Sequence, residues 1–142
     1  MREEVSMIMK IDFSFGREER LKSFALIRDL FGSGRVLNHY PMRIIWLPVA
    51  TSDNTFPVQL AISVPRKKFP KAVHRNRIKR QIKEAYRLNK HRLYRALEGR
   101  ETNFAVMIIY VDKNMPVFDE LEPQVRKALD RLGKKMLAPE NK

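Results

Sequence analysis

Phe104 to Val111 reads FAVMIIYV, an unbroken run of eight apolar residues. It is too short to span a membrane. It suits a strand buried on both faces, either central in a sheet or paired in parallel. The rest of the chain must supply elements that pack around it. Met42 to Val49 (MRIIWLPV) and Val58 to Val64 (VQLAISV) are rich in apolar and β-branched residues and read as two more strands. They are expected to run antiparallel, parted by a loop over Thr51 to Pro57 that holds Asp53-Asn54 and Pro57.

Three helices complete the pattern. From about Arg17 to Phe31, Leu21, Phe24, Ile27 and Phe31 recur at spacings of three and four, and Gly32 and Gly34 mark the end. From about Lys71 to Leu97, Ile78, Ile82, Ala85, Tyr86, Leu93 and Leu97 fall within about 120° of one another at 100° per residue. Pro65 precedes this long helix and Gly99 closes it. A last helix carries Leu121, Val125, Ala128, Leu129, Leu132 and Met136, and Pro123 fits it only in the first turn. The order is α-β-β-α-β-α. It predicts an α/β (α+β) two-layer sandwich, a small mixed sheet with a βαβ crossover and helices packed against it. One domain is expected over residues 17–137, with a flexible N-terminal extension at 1–16 and a tail at 138–142.

The charge is concentrated. The chain of 142 residues carries 29 Lys and Arg against 16 Asp and Glu, a net of +13. Residues 1–65 hold 8 basic and 7 acidic side chains, and residues 101–142 hold 7 of each. Arg66 to Arg100 hold 14 basic side chains, with only Glu84 and Glu98 as acids. Charge kept for solubility would be spread; one dense block implies one surface for a polyanion. Arg66, Lys67, Lys68 and Lys71 form a basic loop ahead of the long helix. Opposite its apolar stripe, Arg80, Lys83 and Arg87 share a face within about 60°, and Arg77 extends that face toward the N-terminus. Guanidinium groups pair bidentately with phosphates, lysines add point charge, and the helix start adds its dipole.

Other chemistries lack their residues. With no cysteine there is no disulfide scaffold, thiol nucleophile or thiolate metal site, which fits a reducing cytosolic compartment. His39, His74 and His91 share no helical face with a second histidine or a paired carboxylate, so surface or RNA-contact roles suit them better than a metal site. Asp119 reads as a helix cap. No Ser-His-Asp set, P-loop or HExxH motif is present, and neither a catalytic residue nor a protein-held metal is expected. A basic helix could enter a DNA groove, but no helix-turn-helix spacing accompanies it. Unpaired RNA bases stacking on aromatics fit better, with Phe31, Tyr40, Trp46 and Phe69 as candidates, against a strong core reading for each: Phe31 lies on a helical stripe, where aromatics are usually core, and Trp46 lies in a strand.

Ala72-Val73-His74-Arg75-Asn76-Arg77-Ile78-Lys79-Arg80, followed by Glu84-Ala85-Tyr86-Arg87, resembles the "RNR" signature of the bacterial ribonuclease P protein subunit. The likeness runs upstream through Ile62-Ser63-Val64-Pro65-Arg66-Lys67-Lys68, Phe31 to Gly34 and Arg20-Leu21-Lys22, and the element order is also the family's. The resemblance implies a ribosomal-protein-S5-domain-2-like fold. It implies an endoribonuclease whose catalytic RNA subunit performs magnesium-dependent removal of the 5′ leader from precursor tRNA. The protein alone would be inactive and would hold no cofactor, magnesium being bound mainly by the RNA. Its partners would be ribonuclease P RNA and the precursor tRNA leader, in the cytoplasm, with no DNA and no membrane. By position, Arg75, Asn76, Arg77, Lys79 and Arg80 would face the RNA, with Arg66, Lys67, Lys68, Lys71, Lys83 and Arg87 extending the contact. Phe31, Ile27 and Trp46 would line the leader cleft. Ile27 stands where the family often carries an aromatic, and a family tyrosine falls at Ile45 or Trp46. Arg75 and Arg77 are expected to be dispensable for folding. The alternatives are a ribosomal or general RNA-binding protein and a stand-alone nuclease, which would need clustered carboxylates.

Overall fold

The computed structural model describes residues 15–49, 56–100 and 102–138. The N-terminal extension up to residue 14, most of the Thr51–Pro57 loop and the last four tail residues lie outside them. A 3-10 turn at Arg17–Glu19 leads to α1 (Phe24–Ser33), β1 (Arg35–His39), β2 (Met42–Val49), β3 (Val58–Ser63), α2 (Ala72–Ala96), β4 (Asn103–Tyr110) and α3 (Phe118–Leu137). The fold is α+β. The four strands form one mixed sheet in the order β1-β2-β4-β3. β4 is central, antiparallel to β2 and parallel to β3. β2 and β3 run antiparallel, as expected, but β4 lies between them. Phe104, Ala105, Val106, Met107 and Ile108 are all buried, which is why this segment tolerates no polar side chain.

Side chains alternate between the two faces of the sheet. Ile44, Trp46, Val58, Leu60, Phe104, Val106, Ile108 and Tyr110 meet α2 and α3 in the main core. Every residue of the α2 stripe named above is at most 2% exposed, and so is the α3 stripe apart from Met136. On the other face, Ile45, Ala105 and Met107 pack with Leu21 and Leu30 under α1. The two-layer description holds for the sheet with α2 and α3, and the short α1 adds a partial third layer.

The structure corrects several sequence expectations. α1 starts at Phe24 rather than near Arg17, because Ser23 caps it: its Oγ accepts the Leu26 amide at 3.2 Å. Leu21 belongs to an extended stretch whose amide donates to Leu60 O at 2.9 Å, so residues 20–21 run beside β3. The α1 stripe is also turned. Leu30 is buried and Leu26 and Ile27 are half-buried, while Phe24 is 90% and Phe31 60% exposed. Gly32 lies inside the helix and Gly34 caps it. A Cβ on Gly34 would come within 2.4 Å of Ile45 Cγ2, so only glycine lets the helix end that close to β2. β1 was not expected. It is an edge strand with one fully buried side chain, Leu37, and gives no alternating apolar signal. Pro123 stands in the second turn of α3, not the first; the carbonyl it leaves without a helix donor belongs to exposed Asp119. Asp119 sits in the first helical turn, where it complements the dipole, and the cap position is Val117.

A buried polar cluster crosses the core. Glu19 and Lys90, each 1% exposed, are 2.6 Å apart. The Tyr94 hydroxyl donates to the same Glu19 oxygen at 2.5 Å, and the Gly16 amide donates to the other at 3.1 Å. Phe15 packs edge-on against Tyr86 beside this cluster, and burial pushes the Tyr86 and Tyr94 hydroxyls up. The cluster fastens the 3-10 turn to the C-terminal half of α2. Lys90→Met leaves a carboxylate buried without its cation and is expected to cost about 3–5 kcal/mol. The double variant Glu19→Gln/Lys90→Met removes both charges and is expected to recover most of that loss. Urea unfolding of both variants checks this.

Candidate nucleic-acid interface

The apolar stripe of α2 is fixed against the sheet and α3, so the basic residues of its first half must face outward. Asn76, Arg77, Lys79, Arg80 and Lys83 are all exposed. Among the described residues, no carboxylate pairs with any of them. Arg80 stands at the crest between two grooves. One, of about 550 Å³, lies between α2 and β3 and is lined by Asn76, Lys79, Arg80 and Lys83 on the helix and by Phe15, Arg20 and Leu21 opposite. The other, of about 540 Å³, lies toward the start of α3 and is lined by Arg77, Arg80, Glu84 and Pro116 to Phe118. Each groove is walled by cations on the α2 side and floored in part by apolar surface. Such a surface holds phosphate oxygens.

The remaining residues expected at this site divide by role. Arg66, Lys67 and Lys71 are exposed. Lys68 donates to Val111 O, and so ties the basic loop to the end of β4. Arg75 turns back on the same loop, donating to Phe69 O at 2.9 Å and Pro70 O at 2.7 Å. The first arginine of Arg75-Asn76-Arg77 is therefore a brace for the loop as well as a surface cation. Arg87 is engaged by Glu84 at 2.6 Å. That hydrogen bond holds the Glu84 carboxyl below its ordinary range and raises the Arg87 guanidinium. Lys90, counted in the charge block, is buried. Arg20 was missed as a site residue, because its place in the groove comes from its pairing beside β3. Its guanidinium lies 5.7 Å from the centre of the Phe15 ring.

The cleft candidates do not come together. Phe31 and half-buried Ile27 lie on α1, over one face of the sheet. Trp46 lies in the core on the other face, 4% exposed, with Phe104 edge-on at 5.8 Å and the Arg35 guanidinium 5.2 Å from its ring centre. On the α1 face the β2 residue is Ile45. Beyond α1, one register row crosses all four strands as Asn38, Arg43, Ile109 and Ser63. None of the four is buried, and Arg43 donates to Asn38 Oδ1 at 3.1 Å. This row forms a shelf ending three residues before Arg66. Phe69 is core, 6% exposed against Tyr110, whereas Tyr40 is 67% exposed. Tyr40 shares a hydrogen bond with Asp112 that raises its hydroxyl and lowers the carboxyl.

The histidines stand apart from one another. His39 links β1 to α3, meeting Gln124 Oε1 at 3.0 Å and the Arg131 guanidinium at 2.8 Å. His74 is exposed. Burial and the neighbouring Arg92 and Arg95 hold His91 below its ordinary range. Among the described residues, no three His, Cys, Asp or Glu side chains converge as metal ligands, and no helix is long and apolar enough to cross a membrane.

Residues 15–133 match the family model described as Ribonuclease P. A ribonuclease P protein component from Porphyromonas gingivalis is 33% identical over 121 residues, covering 85% of this chain and 88% of the relative. The fold is similar to the ribonuclease P protein from Thermotoga maritima, with a TM-score of 0.61 and 23% identity over 80% of this chain and 96% of that one. It is also similar to the Staphylococcus aureus ribonuclease P protein, with a TM-score of 0.54 and 21% identity over 84% and 95%.

The two arginines of the motif should separate in a stability measurement. Arg75→Ala removes two hydrogen bonds from a charged donor and is expected to cost about 1–3 kcal/mol. Arg77→Ala is expected to stay within about 0.5 kcal/mol of the parent. Thermal unfolding of each single variant tests this.

Proposed function

The chain belongs to the ribonuclease P protein family, and from that premise we propose that it binds the catalytic RNA subunit through the α2 ridge and its basic loop, and the single-stranded 5′ leader of precursor tRNA on the α1 face of the sheet. Membership of the family gives it a part in tRNA processing, as a component of an endoribonuclease holoenzyme. The observation that carries the reading is the row of exposed cations on the first half of α2, with which no carboxylate pairs among the described residues. Its opposite side is committed to the core, so the row is free for a polyanion.

Hydrolysis would belong to the RNA, with magnesium held mainly there. The side chains of the ridge are cations and an amide, which suit phosphate oxygens rather than a metal ion. Their contribution would be to neutralise the repulsion between two RNAs that must approach each other. On the opposite face, the exposed Phe31 ring offers a stacking surface, and the Asn38–Arg43 shelf offers donors to a sugar-phosphate chain. A leader would pass from α1 along the shelf toward Arg66. This work on tRNA would place the protein in the cytoplasm.

Reconstitution tests the reading. The protein is mixed with the ribonuclease P RNA of its own organism and a precursor tRNA at low magnesium. Leader removal is expected to be stimulated, and affinity for the RNA subunit should fall steeply with salt as counterions are released. RNA binding without stimulation would favour a general RNA-binding protein. Cleavage by the protein alone would favour a nuclease in its own right.

Phe31 and Trp46 should part in the same assay. Phe31→Ala is expected to change stability by less than about 1 kcal/mol while weakening leader-dependent binding of precursor tRNA. Trp46→Ala empties a core site and is expected to cost about 3–5 kcal/mol. Chemical unfolding, paired with precursor tRNA binding with and without a leader, distinguishes the two.

A further inference from the structure

The block from Arg66 to Arg100 is one patch in the sequence but not in space. Arg77 and Arg95 are separated by 18 residues of a continuous helix, about 27 Å at 1.5 Å per residue. The far end is basic in its own right. Arg92 and Arg95 are exposed on α2, and Lys127, Arg131 and Lys134 are exposed on α3. The three α3 residues fall within about 60° of one another at 100° per residue. The opposite side of α3 is the buried stripe. α2 and α3 lie side by side and run parallel: Gln81 reaches Pro116 O, Arg92 meets Asp130 at 3.3 Å, and Gly133 lies against Ala96. Their C-terminal halves therefore share one end of the molecule.

We propose that these two C-terminal halves form a second cationic surface, which docks on the phosphate backbone of the RNA subunit at a place distinct from the ridge. The proposal rests on the ribonucleoprotein reading above. Cations at helix C-termini also complement the helix dipole, but that effect fades within the last turn. Lys127 and Arg131 lie before the last turn of α3, so the dipole does not account for them. Among the described residues at this end, Asp130 is engaged by Arg92 and Glu98 is exposed. The apolar sides of both helices are buried in the core, which leaves a charged surface without the exposed apolar partner that membrane docking needs. The occupant is the RNA subunit because the second surface shares its helix, and the outward side of that helix, with the ridge. Arg77, Arg80, Arg87 and Arg95 fall within about 80° on the outward side of α2, so one nucleic acid lying along the helix meets both ends.

The test uses the full chain and three variants. Arg95→Gln/Lys127→Gln/Lys134→Gln neutralises the second surface and spares Arg92 and Arg131, which hold contacts. Arg77→Gln/Lys79→Gln/Arg80→Gln neutralises the ridge. Lys22→Gln/Arg28→Glu makes the same three-unit change in charge on the α1 side of the molecule. Affinity for ribonuclease P RNA and, separately, for precursor tRNA is measured across a salt series, with thermal unfolding as the control for folding. The first variant is expected to unfold at the parent temperature, to bind ribonuclease P RNA about tenfold more weakly at 0.15 M salt, and to flatten the log–log salt slope by about 2. Affinity equal to the parent's, with the ridge variant weakened, overturns the second surface and leaves the ridge reading intact. An equal loss in the charge-matched variant overturns it as a site, because the effect is then net charge alone. A loss confined to precursor tRNA overturns the RNA subunit as occupant. No loss in either the first or the ridge variant overturns the ridge reading as well.

Discussion

β4 is hydrogen-bonded along both edges and buried on both faces, and this decides where every other element can go. Its parallel edge is filled by β3, and the connection between them is α2. A crossover helix must lie against one face of the sheet, and α2 does so along a stripe that reaches from Ile78 to Leu97. Once that stripe is buried, Arg77, Arg80 and Lys83 have only solvent to face. The orientation of the charged surface is thus a consequence of hydrophobic packing. A change that loosened β4 would blur the interface before it touched a basic residue.

Position in the fold also separates cations that composition makes equivalent. Lys90 is an internal strut, closing a contact with Glu19 that holds the segment from Phe15 to Leu21 along β3. That segment forms the far wall of one ridge groove and brings Arg20 to it. Arg75 and Lys68 brace the basic loop through backbone carbonyls, so the exposed cations Arg66, Lys67 and Lys71 stand on a loop held by other cations. Arg87 is balanced by Glu84. A buried ion pair adds little net stability against an apolar isostere, and its contribution here is to fix one arrangement of the groove wall. Freely placed cations would lose conformational entropy on meeting phosphate; cations on a braced loop and a packed helix have already lost part of it.

How much of this was legible in the sequence depended on how local the cause was. The α2 stripe and β4 were readable because burial repeats at fixed spacing along a single segment. The ridge was readable because a helix turns spacing into direction. β1 was not, since Arg35–His39 buries only Leu37 completely and is a strand through its pairing with β2. Phe24 and Phe31 seemed to mark the buried side of α1, but Leu26 and Leu30 turn that helix by packing on Ile45 and Met107. Trp46 and Ile45 are adjacent in sequence and lie on opposite faces of the sheet; one residue of register separates a core side chain from the α1 face. The Glu19–Lys90 contact joins positions 71 residues apart and leaves no local trace.

The two faces of the sheet therefore carry different chemistry. The α1 face has an exposed Phe31 and the row Asn38, Arg43, Ile109 and Ser63, in which the cation, Arg43, is held by a neighbouring amide. It can stack unpaired bases but carries little charge with which to grip a duplex. The α2 side has cations in number and no exposed aromatic on the ridge, so it suits a phosphate backbone whatever its sequence. The two sides meet where Ser63 leads through Pro65 into Arg66. On the proposed reading, a single strand leaving the α1 face would reach the cationic loop by this path, where a flexible leader would pass to a structured RNA.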